Sequence, residues 1–263
     1  MSIRTDLAIE KTEENYKTEK IGCVDSHFLQ TESGKYYTLE FESIEKLIDF
    51  SDIERALKIA LNNLLPKARE KILVVGLGNT EITSDSVGPI TAKKILATRH
   101  ITGQFAETIG LKNLKSVAVI SPNVLGKTGI EVSELVLGAV NTVKPDAVIV
   151  IDALCSKSLN RLFSCIQLTD SGISPGSGVK NSRKELSKNT LGVPVVAIGV
   201  PTVVEALTVA YELTGKVAKT HTDLIVTPKE ADLLCHRIAE ALSQTLNVFL
   251  QPEIERDIIL QLV

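Results

Sequence analysis

Positive charge is not in excess anywhere in the balance of this chain, which carries 29 Lys and Arg against 32 Asp and Glu over 263 residues. That excludes the overall basic field that holds a protein on nucleic acid or an acidic membrane, so a protein or small-molecule substrate fits better. No apolar run reaches the roughly 18 residues of a membrane span. Residues Met1-Ser2-Ile3-Arg4-Thr5-Asp6 lack the hydrophobic core of a signal peptide, so a cytoplasmic protein is expected. Cysteine is scarce too: Cys23, Cys155, Cys165 and Cys235 show neither CxxC nor Cys/His spacing, and a chain this long needs no disulfide staples, so free thiols are expected. The histidines form no ligand spacing, which argues against a histidine-bound metal, while a carboxylate-bound cation stays open. No cofactor is implied. Repeats and low-complexity tracts are absent.

What is present is apolar residue in short, regularly spaced runs, with a mean hydropathy of +0.16 and 44% hydrophobic residues. Ile72 to Val75, Ser116 to Ile120, Ala147 to Ile151, Val195 to Ile198 and Leu224 to Val226 read as strands buried on both faces. Such strands imply a parallel sheet covered by helices, and the fold class is α/β, a three-layer sandwich around a mostly parallel sheet. Met1 to about Gly34 is polar with little periodicity and reads as a surface arm, leaving residues 35–263 as a single α/β domain. Tyr36 to Phe41 alternates as an edge strand would, and Ile53 to Leu65 has helical spacing. Capping boxes are expected at Thr128/Glu131, Thr202/Glu205 and Thr227/Glu230. Thr169 to Gly192 is the one long irregular stretch, and loops of that length are usually functional or mobile.

In an open parallel sheet, ligands bind in the crevice beyond the carboxyl ends of the strands. Two acids meet that test. Asp152 follows the run Ala147 to Ile151, and Asp85 lies in the loop after the first core strand, just before a helix expected at Gly88-Pro89. Two convergent carboxylates can share a proton, one serving as base for water while the other donates to a carbonyl oxygen. An aspartate so placed can equally be a helix cap, a magnesium ligand or a ribose contact. Val75-Gly76-Leu77-Gly78-Asn79 opens like a dinucleotide fingerprint but lacks the third glycine, so a tight turn is expected. A nucleophilic Cys155 paired with His100 is a further reading, set below a small buried thiol. His100 itself reads as a cation at a helix C-terminus, and the signature shared with peptidyl-tRNA hydrolases is incomplete.

Several segments together carry a family resemblance: Arg4 to Glu10, Val75 to Pro89, Thr128-Gly129-Ile130-Glu131, Val150 to Leu154, Ile166 to Leu191 with Pro175-Gly176-Ser177-Gly178-Val179, and Ala197 to Val204. Through them the chain resembles the germination proteases of spore-forming bacteria, atypical aspartic endopeptidases that degrade small acid-soluble spore proteins. The resemblance implies a fold like that of the hydrogenase-maturation proteases, catalytic aspartates at Asp85 and Asp152, and substrate contacts from Thr128, Gly129, Gly176 and Gly178. It further implies a homotetramer in the developing forespore and spore core, made as a zymogen that clips itself between Asp6 and Leu7. The chain departs from the family in its short six-residue prosegment, in lacking an insertion between Gly215 and Thr222, and in having Thr80 and Ser174 where relatives often have Trp and His. A shortened, non-catalytic relative and a peptidyl-tRNA hydrolase-like enzyme are the alternatives.

Overall fold

The computed structural model describes residues 4–11, 16–101, 113–176, 184–216 and 224–262. Its strands are β1 (Lys17–Ile21), β2 (Val24–Gln30), β3 (Lys35–Glu40), β4 (Lys71–Gly76), β5 (Ser116–Ile120), β6 (Ala147–Ser156), β7 (Cys165–Thr169), β8 (Val195–Glu205) and β9 (Ile225–Val226). The described helices are α1 (Ser51–Leu64), α2 (Val87–Lys93), α3 (Leu125–Thr128), α4 (Val132–Val143), α5 (Lys188–Leu191), α6 (Ala206–Thr214), α7 (Ala231–Leu250) and α8 (Arg256–Leu262). One sheet runs in the order β1-β2-β3-β7-β8-β6-β4-β5, with β9 pairing β8. The four strands β5, β4, β6 and β8 are parallel to their neighbours within that set, and β1, β2, β3 and β7 extend them as an antiparallel wing.

The period-two alternation of a strand divides each apolar run between two cores. Ile72 and Val74 of β4 and Ile149 and Ile151 of β6 join a cluster with α1 and α7, through residues such as Leu57, Leu61, Ile238 and Leu242. The alternate residues Leu73, Val75, Val148 and Val150 face the opposite way, onto Val132, Val136 and Val140 of α4. Both faces are therefore covered, which is why those runs carry almost no polar residue. Helices α1 and α7 hold their apolar residues at three- and four-residue spacing, the stripe a helix needs to lie on a sheet. No helix among the described residues is long and apolar enough to cross a membrane.

Several local expectations are corrected. The stretch read as an arm contains β1 and β2, a hairpin whose first strand is exposed at every position but Ile21, so no apolar alternation marked it. Strand β3 is interior, paired with β2 and β7, and so is not an edge. Leu224 to Val226 yields only the two-residue β9, antiparallel and exposed, instead of a buried parallel strand. None of the three expected capping boxes forms: Thr128 ends α3, Thr202 lies within β8, and Glu131, Glu205 and Glu230 sit at N-caps without a side-chain cap bond. Helix α2 ends at Lys93, well before His100, which sits in an exposed turn.

Candidate functional site

Strand β4 stops at Gly76, opposite Ile151 of β6, and the Leu77 N–H closes the pairing on the Ile151 carbonyl at 2.8 Å. Asp152 is thus the first residue of β6 to extend beyond its neighbour. It does not end its own strand, as the apolar run suggested, because β6 continues against β8 to Ser156. The crevice arises from the turning away of β4. Asp152 is buried, follows the parity of Val148 and Val150 onto the α4 face, and its Oδ1 accepts the Ala153 N–H at 2.9 Å.

The chain leaving β4 returns Asp85 to the same place. A Cβ on Gly76 would meet the Gly88 carbonyl oxygen at 2.2 Å, so glycine there lets the start of α2 lie directly on β4. Gly78 has φ of +117°, and a Cβ would stand 2.0 Å from the Asp85 carbonyl oxygen. These glycines serve a tight turn and close backbone approach, in keeping with the missing third glycine. Within the turn the Asn79 N–H donates to both the Asp85 carbonyl (3.0 Å) and its carboxylate Oδ2 (2.9 Å). Asp85 closes a 3-10 turn, Thr83–Asp85, that is tied down from three sides. The Thr202 hydroxyl donates to the Ser84 carbonyl at 2.6 Å, and the Ser86 hydroxyl and the Cys235 thiol donate to the Thr83 carbonyl at 2.7 and 3.1 Å. Sequence reasoning passed over Thr202 in this role, since a lone threonine at the end of an apolar strand looks like a cap.

Asp85 and Asp152 line one cavity of about 180 Å³. Its walls are mostly apolar, from Leu77, Val124, Val132, Leu154 and Val203, with Gly176 at one side. Two carboxylates lining one recess can divide the roles of base and acid toward a bound water and a carbonyl oxygen.

A second cavity, of about 240 Å³, shares Leu154 with the first and is lined by Asp6, Ala8, Gln167, Ile173 and Gly199 among others. Asp152, Gly199 and Gln167 stand in one row across β6, β8 and β7, so the two cavities lie on the same sheet face. Residues 5–11 cover that face where α4 does not. Leu7 is fully buried against Leu154, Cys165 and Ile173. The Asp6 N–H donates to the Cys155 carbonyl and its carboxylate accepts the Cys155 N–H, both at 2.9 Å. The Gln167 side chain brackets Leu7, accepting the Ala8 N–H at 2.6 Å and donating to the Asp6 carbonyl at 3.5 Å. The Glu10 carboxylate accepts from the Ser156 hydroxyl (2.8 Å), the Lys157 N–H (2.8 Å), the Thr5 hydroxyl and Arg161 (2.9 Å), and Arg161 also reaches Glu40.

The model of the germination protease family matches residues 5–221, which contain both aspartates and the Asp6–Leu7 bond. The chain belongs to the germination protease family. It is therefore a protease, a hydrolase of peptide bonds that acts in spore germination. Among curated germination proteases, that of Clostridium acetobutylicum is 34% identical over 318 aligned positions, covering 97% of each chain. That of Caldanaerobacter subterraneus subsp. tengcongensis is 37% identical, covering 96% of this chain and 95% of its own. A shorter match to the Bacillus licheniformis germination protease is 44% identical over 188 positions, 68% of this chain and half of that one. The aligned length of 318 exceeds the 263 residues here, so relatives carry additional residues within the matched span. A [NiFe] hydrogenase maturation protease from Thermococcus kodakarensis is similar in structure at a TM-score of 0.41 and 18% identity, covering 72% of this chain and 97% of that one.

Of the other residues that the resemblance pointed to, Gly176 lines the aspartate cavity, while Gly178 and the junction between Gly215 and Thr222 lie outside the described residues, the latter in part. Thr128 and Gly129 sit at the end of α3, where the Thr128 hydroxyl exchanges hydrogen bonds with the Ile130 backbone and Gly129 faces open space. Cys155 is buried, and burial together with the nearby Asp6 and Glu205 pushes its thiol up to about 12. A protonated thiol is no nucleophile at neutral pH.

Proposed function

We propose that Asp85 and Asp152 carry out the hydrolysis, one taking a proton from water as it attacks the scissile carbonyl and the other donating to that carbonyl's oxygen. The observation that carries this reading is that two acids 67 residues apart in sequence line one apolar-walled cavity at the end of β4. No covalent intermediate is required, and the proton lost by water is returned to the leaving amine. In this reading the substrates are small acid-soluble spore proteins, met in the cytoplasm of the forespore and spore core, and the working form is a homotetramer. Residues 35–263 make up the catalytic unit and residues 1–34 carry the processing segment. Replacing each aspartate singly by Asn should lower cleavage of purified small acid-soluble spore proteins by roughly 10²–10⁴-fold. Wild-type rates from both variants would leave a non-catalytic relative as the better account.

Self-processing between Asp6 and Leu7 belongs to the same proposal, with a condition attached. Leu7 has no exposed surface and Asp6 lines the neighbouring cavity instead of the one that holds the two aspartates. The bond is cut only after residues 4–11 leave this seat. Mass spectrometry of the purified chain over time should show loss of the first six residues. A rate independent of protein concentration indicates cleavage within one molecule, and a proportional rate indicates cleavage by another.

A further inference from the structure

The mouth of the aspartate cavity carries two large aliphatic side chains that the hydrolytic step does not use. Ile82 is 52% exposed and Ile225 is 44% exposed, yet both line the cavity. Single exposed hydrophobic residues are common and need no explanation. Ile48 and Leu213 are more exposed still and line no part of this cavity. Ile82 and Ile225 differ in facing a recess that already holds Leu77, Val132, Leu154 and Val203.

Both are rigidly placed relative to the aspartates. The Ile82 N–H donates to the Asn79 carbonyl at 3.1 Å and its carbonyl accepts the Asp85 N–H at 2.8 Å, so its backbone is held by the same turn that holds Asp85. Ile225 is held in β9, opposite Glu205, two residues beyond Val203 of the cavity wall. The described polar lining is Asp85, Asp152, Asn123, Ser84 and Thr202, and the Thr202 hydroxyl is already committed to Ser84. No lysine or arginine is among the described lining residues. A substrate carboxylate would enter beside two aspartates, whereas an aliphatic side chain would be covered on several sides.

We propose that Ile82 and Ile225 are specificity-determining residues that close over an aliphatic side chain of the substrate residue flanking the cleaved bond. This rests on the assignment of Asp85 and Asp152 as the hydrolytic pair. A cavity of about 180 Å³ admits such a side chain together with the attacking water, whose share of liquid volume is about 30 Å³. Acidic substrate positions are then read elsewhere on the protein.

The test uses synthetic peptides with one cleavable bond, flanked on either side by Leu, Ala or Asp. The wild-type enzyme should favour Leu over Ala at one flanking position by roughly tenfold or more in kcat/KM, and reject Asp there. Ile82→Ser and Ile225→Ser should bring the Leu to Ala ratio toward one, mostly through KM, and Ile225→Lys should raise the relative rate on the Asp peptide. Leu213→Ser, exposed and remote from the cavity, should change neither ratio. All three sites are exposed, so melting temperatures should match wild type and a lost preference cannot be laid to unfolding. Unchanged ratios in both serine variants would overturn the proposal while leaving the aspartate pair standing. Asp→Asn variants that keep full activity would remove the assignment beneath it.

Discussion

The two cavities that meet at Leu154 share one sheet face and a similar size, and they treat carboxylates in opposite ways. Asp6, which lines the second, accepts the N–H of Cys155, and in the same segment the buried carboxylate of Glu10 is surrounded by a hydroxyl, a backbone N–H and a guanidinium. In the first, the bonds from Asn79 and Ala153 orient Asp85 and Asp152, and the remaining walls are mainly apolar. A carboxylate buried among protein donors anchors its segment, while one that lines a cavity is placed to meet a bound molecule. The same sheet thus anchors a chain segment on one side of Leu154 and sets Asp85 and Asp152 along a cavity on the other.

Four changes would break or sharpen that contrast. The largest effect should come from Gly78→Ala, which sets a Cβ against the Asp85 carbonyl at 2.0 Å in a backbone conformation with φ of +117°. The turn must shift, and displacing a catalytic group by about 1 Å costs on the order of 10²-fold in kcat. Steady-state hydrolysis of a peptide, alongside far-ultraviolet circular dichroism to confirm the fold, checks it. Next is Glu10→Gln, which leaves Arg161 with Glu40 as its remaining carboxylate and weakens the buried cluster. A loss of about 2 kcal/mol in urea unfolding is expected, with kcat of the folded protein changed little. Thr202→Val removes the hydroxyl that holds Ser84, and should lower kcat by about tenfold through loosened placement of Asp85. The smallest effect should follow thiol modification. Cys23 is exposed, whereas burial raises Cys155 to about 12 and Cys235 to about 11. At pH 8 one thiol should react in the folded protein, with activity retained, and the other three only after unfolding. Inactivation by modification of Cys155 in the folded state would restore a nucleophilic role for it.

The same contrast marks what the sequence could disclose. Strands β4, β5, β6 and β8 announce themselves because burial on two faces removes polar residues from the run, and the rule that ligands bind beyond strand ends then finds Asp85 and Asp152. Burial that comes from distant partners leaves no such mark. Leu7 and Glu10 sit in a charged, aperiodic stretch, and Glu10 is buried only because Arg161 and Ser156 arrive from 151 and 146 residues away. Strand β1 is exposed at four of five positions and so resembles loop. The threonine-to-glutamate pattern misled for a related reason. Thr202 has a carbonyl of a remote turn for its hydroxyl, and Glu205 still belongs to a strand. Ile225, at the mouth of the cavity, lies in an apolar run that predicts a buried strand, although each residue of that run is exposed.

The central claim is that Asp85 and Asp152 act together on one water molecule. Its most direct test is kcat/KM for a single-bond peptide with Asp85→Asn, Asp152→Asn and the double variant. Each single change should lower the rate by roughly 10²–10⁴-fold, and the double variant should be little worse than the slower single, since members of one catalytic unit fail together. A single variant that keeps its rate within a few-fold of wild type would contradict the claim.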